Sequence, residues 1–213
     1  MTEPIVLSWS GGKDSSLALQ ALRADPTLEV VALLTSVTRG YDRVSIHGVR
    51  RTLLEAQAGA FGLPLHEIVL EPQSSNAAYE AAFRAAVESL RLRYRSLRRV
   101  AFGDLFLSEV RAYRETLLDS VQLGAHFPLW GLDTAMLAGQ FVALGYRARL
   151  VCVDTVQLAA RFAGRAYDAD FLADLPESVD PCGERGEFHT FVSDGPIFAE
   201  PVPYVTGEVV LRD

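Results

Sequence analysis

An α/β fold built on a doubly wound parallel sheet is predicted by three observations. Short apolar runs alternate with helical patterns through the first hundred residues. The runs are continuously apolar rather than alternating, as strands covered on both faces are. A glycine turn stands between the first run and the first helix, where such sheets place ligands. Strand–helix–strand repetition with right-handed crossovers accounts for all three.

Taken in order, Ile5–Leu7 is the first strand and residues 13–24 the first helix, stopped near Asp25-Pro26. Glu29–Ser36 is a second buried strand, and Thr38–Ser45 a polar loop beyond its end. Residues 47–61 carry helical spacing at Val49, Leu53, Leu54, Ala58 and Phe61, and Gly62-Leu63-Pro64 ends the helix. Leu65–Leu70 is a third strand, residues 77–97 a long helix, and Val100–Phe102 a fourth strand running into Gly103-Asp104. From Leu105 the texture changes, which sets a soft boundary near residue 104 between a doubly wound part, 1–104, and an α+β part, 105–213, with no flexible linker. In the second part, 108–122 and 132–144 read as helices and Ala148–Val153 as a strand. Residues 155–163 and the acidic 168–174 are further helical stretches, Phe188–Val192 a short strand, and Tyr204–Leu211 a final edge strand.

Bulk properties set outer limits. A chain of 213 residues buries enough surface to fold without metal or disulfide. Its net charge of −7 argues against broad nucleic-acid binding. Two cysteines, Cys152 and Cys182, have no metal-like spacing and point to a reducing compartment. No leader pattern and no long apolar span is visible, so the expected location is cytoplasmic, away from membranes. The oligomeric state is open, a homo-oligomer included.

The glycine turn reads Ser8-Trp9-Ser10-Gly11-Gly12-Lys13-Asp14-Ser15-Ser16. Adjacent glycines let the backbone approach a ligand, and the first amides of a helix attract phosphate. It lacks the G-x-x-x-x-G-K-[ST] spacing of a Walker loop. Of the 20 basic residues, Lys13 is the sole lysine. An ammonium suits a phosphate as a point charge, and Asp14 is a candidate Mg²⁺ ligand. A second dense patch, Asp180 to Phe198, places Glu184, Glu187, His189 and Thr190 within seven residues. Strand alternation there puts His189 and Phe191 on one face and Thr190 on the other.

S-G-G-K-D-S resembles the PP-loop of ATP pyrophosphatases, HUP-like α/β proteins that split ATP between the α and β phosphates. Together with Gly103-Asp104, Pro128-Leu129-Trp130, C-G-E-x-G-E-x-H-T from Cys182 and D-G-P-x-F from Asp194, it resembles the diphthine–ammonia ligase family, in order and over almost the whole chain. That resemblance implies an ATP- and Mg²⁺-dependent amide ligase, forming AMP and pyrophosphate, with a carboxylate substrate and ammonia as partners. The arginine bias looks like GC-rich bacterial coding and so like a bacterial member, whose acceptor would not be diphthine. By this reading 1–104 is a PP-loop nucleotide-binding domain and 105–213 a C-terminal substrate-binding domain, and Ser10, Gly11, Gly12, Lys13, Asp14 and Ser15 hold the phosphates. Thr35, Ser36 and His47 lie near adenosine, with Gly103 beside the nucleotide. Asp104, Glu184, Glu187, His189 and Thr190 meet acceptor and amine, and Lys13, Asp14, Glu184, Glu187 and His189 carry the catalysis. The competing readings are a PP-loop tRNA-modifying enzyme and an ATP-binding regulator without turnover. Of the remaining residues, His66 is expected to be structural, His126 a loop histidine, Cys152 buried, and Cys182 part of a tight turn. Arg111 and Arg114 either pair within their helix or reach the cleft.

Overall fold

The computed structural model describes residues 2–40, 43–44 and 48–211. Its centre is a parallel sheet of β4, β2, β1, β5 and β6 in that spatial order, with the short β3 (Arg43–Val44) antiparallel to the end of β2. The strands are β1 (Glu3–Ser8), β2 (Leu28–Thr38), β4 (Leu65–Leu70), β5 (Arg99–Ala101) and β6 (Gly124–His126). Between them run α1 (Lys13–Ala24), α2 (Arg51–Phe61), α3 (Asn76–Arg93) and α4 (Ser108–Asp119). The predicted doubly wound sheet is therefore present.

Residue alternation in β1 shows how both faces are covered. Ile5 and Leu7 join a cluster with Leu17, Leu19 and Leu22 of α1 and Leu54, Ala58 and Phe61 of α2. Val6 points the other way, into a cluster with Phe83, Val87 and Leu90 of α3 and Leu117 and Leu118 of α4. A strand buried on both faces can be uninterruptedly apolar, which is why these runs were readable.

The second part contributes α5 (Thr134–Ala143), β7 (Arg147–Val153), a 3₁₀ turn (Ala160–Phe162), α6 (Ala169–Asp174) and β8 (Phe188–Asp194). β7 and β8 form a separate antiparallel ribbon. Apolar side chains of this second part, among them Phe141 of α5, Phe171 of α6, and Phe188 and Val192 of β8, belong to the same core cluster as α1 and α2. The parallel sheet runs past residue 104, since β6 pairs with β5 through Val100↔Ala125.

Several expected elements differ. Residues 43–44 form a strand instead of loop, and α2 begins at Arg51 rather than residue 47. The span 155–163 yields only the 3₁₀ turn. Tyr204–Leu211 forms no strand: Val205 and Val209 are exposed and find no edge to pair with. β6 was missed because three residues carry no periodicity, so His126 lies on a strand and not in a loop. Cys152 is exposed, since it sits on a ribbon whose outer face is uncovered. Among the described residues, no helix is long and apolar enough to cross a membrane.

One buried side chain joins the two parts. Gln57 of α2 is fully buried, donates to the carbonyls of Gly11 (3.0 Å) and Val192 (2.6 Å), and accepts from Trp9 Nε1 (2.9 Å). Gln57→Leu should remove a hydrogen bond from each of the three groups, leaving the Gly11 carbonyl only the Val192 amide, and cost about 2–3 kcal/mol in denaturant unfolding.

Candidate active site

The parallel strands end together, so Ser8–Ser10, Phe102–Asp104 and the start of α1 meet at one edge of the sheet. Gly11 has φ +82°, and a Cβ there would stand 2.6 Å from Leu54 Cδ2, so the turn tolerates only glycine. Gly103 lies against the first turn of α1, where a Cβ would approach the Asp14 backbone to 3.0 Å. Helix α1 starts after Gly12 with no capping side chain of its own. The hydroxyl of Thr190, on β8, accepts from the Lys13 amide instead (3.1 Å). The Val192 amide donates to the Gly11 carbonyl (3.0 Å). Strand β8 thus lies directly on the glycine turn. Within the turn, Ser10 Oγ is 3.1 Å from Ser15 Oγ and accepts from the Gly12 amide at 3.3 Å.

The loop before β8 is ordered by two carboxylates that accept from the backbone. Asp180 Oδ1 takes the amides of Cys182 (2.9 Å) and Glu184 (3.3 Å), and its Oδ2 takes the Thr134 hydroxyl (2.8 Å). Glu187 is buried and takes the amides of Asp180 (3.0 Å) and Arg185 (2.9 Å). This loop presents Glu184, whose Oε1 accepts from the Leu105 amide (2.8 Å) next to Asp104.

Between turn and loop lies a cavity of about 200 Å³. The glycine turn contributes Ser10, Gly12, Lys13, Asp14 and Ser15, the end of β5 contributes Gly103 and Asp104, α4 contributes Arg114, and the late segment contributes Glu184, His189 and Thr190. It is smaller than the ~300–1,000 Å³ usual for whole ligands, a size suited to the reacting ends of substrates. The two sequence patches, far apart in the chain, line one cavity.

Its electrostatics follow from burial. Burial, with the nearby charges of Asp14 and Asp104, pushes the Glu184 carboxyl up to about 7, against the pull of the Leu105 amide. Burial raises Asp104, while Arg114, 3.5 Å away, pulls it down. Asp104 Oδ2 and Arg114 Nε are buried and make no hydrogen bond in the geometry seen. Burial and the charge of Lys13 lower His189, which favours its neutral form. Burial pushes the Cys182 thiol up to about 12, so it is no nucleophile at neutral pH.

The predicted residues sort into three groups. Ser10, Gly12, Lys13, Asp14, Ser15, Gly103, Asp104, Glu184, His189 and Thr190 all line the cavity, His189 and Thr190 together although strand alternation assigns them opposite faces. Gly11 and Glu187 do not line it, the Gly11 carbonyl being held by Gln57 and the Val192 amide and both Glu187 oxygens being spent on the loop backbone. Thr35 and Ser36 lie within β2, paired with Glu67 and Ile68 and away from the cavity; Thr35 Oγ1 is buried without a partner. His47 falls outside the described residues. Sequence reading missed Asp180, Gln57 and Thr134, single polar residues whose partners are distant in the chain. Arg114 takes the cleft option and Arg111 pairs with Glu115 within the helix at 2.8 Å.

For a divalent cation, the described residues gather no three His, Cys, Asp or Glu side chains into a ligand set. Mg²⁺ at nucleotide sites takes one or two carboxylates with the rest from phosphate and water, and Asp104 Oδ2, which makes no hydrogen bond, and Asp14 beside it on the cavity suit that demand.

A doubly wound sheet with a glycine turn closed by a late polar loop defines an α/β protein with one composite cleft. Residues 3–123 match the diphthamide synthase N-terminal domain and residues 133–209 the diphthamide synthase C-terminal domain. The chain belongs to this family. It is 30% identical to a diphthine–ammonia ligase of Schizosaccharomyces pombe over 94% of its own length and 36% of that protein's. It is 27% identical to a diphthine–ammonia ligase of Danio rerio over 95% of its length and 87% of that protein's. The chain thus spans only about a third of the fission yeast relative.

Glu184→Gln provides a pH test. Because the folded-state value lies near 7 and the unfolded one near 4.5, the folded state binds the extra proton between these values. Glu184 therefore destabilises the fold increasingly as pH rises from 4.5 to 7. The Gln variant should gain on wild type over that interval by about 1–2 kcal/mol, after discounting for solvent, in thermal or urea unfolding at pH 5 and 8.

Proposed function

We propose that the chain is an ATP-dependent amide ligase that activates a carboxylate by adenylation and passes the acyl group to ammonia. The observation that supports this best is the shared cavity, in which the glycine turn meets Glu184, Asp104 and a neutral-favouring His189. An enzyme that only stored nucleotide would have no use for ionisable groups of shifted affinity opposite the phosphates.

The acceptor carboxylate attacks the α-phosphorus of ATP, forming a new P–O bond as the bond to the β-phosphate oxygen breaks. The backbone of Gly11 and Gly12, the α1 terminus and the hydroxyls of Ser10 and Ser15 stabilise the departing pyrophosphate. Mg²⁺, held by the phosphates with Asp14 or Asp104, supplies charge neutralisation when bound. Ammonia then attacks the acyl carbon and AMP leaves. At neutral pH ammonia is mostly ammonium, so a proton must be removed first. The carboxylates of Glu184 and Asp104 attract the cation, and His189 accepts its proton. Glu187 acts at one remove, by shaping the loop that carries Glu184. The relatives named above are diphthine–ammonia ligases, and the acceptor here is a carboxylate of the kind their name describes, diphthine or a bacterial counterpart.

Radiolabelled pyrophosphate should exchange into ATP only when a suitable carboxylic acid is present. Exchange that requires tRNA instead favours a tRNA-modifying enzyme, and nucleotide binding without AMP formation under any acceptor favours a regulator. In His189→Ala the exchange should persist while amide formation falls by roughly 10²-fold, the usual size of a lost general base. Loss of ATP binding in that variant would place the late loop in the nucleotide site.

A further inference from the structure

Lys13 is the only lysine in the chain, and its side chain is 2% exposed. Its ammonium lies 2.7 Å from both oxygens of Asp14 and donates to the Cys182 carbonyl. An ammonium has three N–H donors, and three acceptors surround this one. The rings of Tyr167 and Phe188 lie 6.0 Å and 5.9 Å away and close the pocket around it. The carboxylate and the carbonyl, one on each side of the ammonium, hold it away from the glycine turn's own phosphate-facing amides. Burial alone would lower the lysine's proton affinity, but the Asp14 charge and hydrogen bonds outweigh it and raise it.

We infer that Lys13 is a positioning residue, an inward clasp that ties the first turn of α1 to the Asp180–Glu187 loop and thereby sets where Glu184 stands. Cys182, whose carbonyl it holds, is two residues from Glu184. The Glu184 amide is fixed by Asp180 and its Oε1 by the Leu105 amide. With the Lys13 contact at Cys182, both the backbone and one carboxylate oxygen of Glu184 are tethered. The site also accounts for a lysine in an otherwise arginine-bearing chain. A guanidinium carries five donors on a wider plane, and two of them would be buried here with nothing to bind. The clasp serves the cavity of the proposed ligase, but it can be tested without any assumption about the reaction.

The single lysine makes the test selective. An amine-acylating reagent should label only the α-amino group of the native wild-type chain, with Lys13 labelled solely in denaturant and ATP making no difference to the count by mass spectrometry. Labelling of Lys13 in the native protein, suppressed by ATP, would overturn the inference and make it a phosphate ligand. Variants supply a second readout. Lys13→Met leaves the Asp14 carboxylate buried without its partner, and Tm should fall by roughly 10 °C. Lys13→Met/Asp14→Asn, which removes both charges, should regain at least half of that loss. In hydrogen exchange, the amides of Leu105 and Glu184 should lose at least tenfold protection in Lys13→Met while those of β1 do not. A Lys13→Met chain with wild-type Tm and wild-type protection at Leu105 and Glu184 would contradict the clasp.

Discussion

The structure depends on the seating of β8 against the glycine turn. Two backbone-level contacts make it, the Val192 amide on the Gly11 carbonyl and the Thr190 hydroxyl on the Lys13 amide. A Cβ at Gly12 would meet the Thr190 carbonyl at 3.1 Å, so the approach leaves little room for a side chain. In many phosphate-binding turns a helix supplies its own cap. Here α1 has none, and the late strand provides it. The conformation of the turn is therefore a property of the whole chain and not of six residues.

That constraint explains why polar groups accumulate at the junction. Placing two backbone segments in contact away from water requires that each carbonyl and amide find a partner. Gln57 serves Gly11, Val192 and Trp9 at once, while Asp180 and Glu187 serve the loop amides. These side chains hold the scaffold so that Glu184, Asp104 and His189 can face the cavity. Carboxylates that look alike in the sequence thus divide by role. Glu187 has both oxygens committed to the loop, whereas Glu184 keeps one outside its bond to Leu105.

Much of this was legible from sequence because the fold rests on continuous apolar strands and helical spacing, which burial on both faces imposes. Ile5–Leu7, Glu29–Ser36 and Leu65–Leu70 all read clearly for that reason. β6 did not, because Gly124–His126 is held by pairing to β5 and not by any pattern of its own. Tyr204–Leu211 has a strand-like composition and no strand, since propensity without a partner edge forms no ladder. In the site, residue types and motif order identified the cavity-lining groups. Direction was beyond reach: nothing in S-G-G-K-D-S tells that the lysine turns inward, or that Glu187 turns toward its own backbone. Asp180 and Gln57 carry no motif at all, and only the folded chain brings their partners to them.

The central claim is that the glycine turn and the late loop make one reaction site. A crystal structure with ATP tests it most directly. The account predicts the triphosphate in the cavity, its oxygens on Ser10, the Gly11–Gly12 backbone and Ser15, with Glu184 and His189 facing the α-phosphate. A nucleotide bound elsewhere, or phosphates that leave Glu184 and His189 on the far side of the protein from the α-phosphorus, would contradict it.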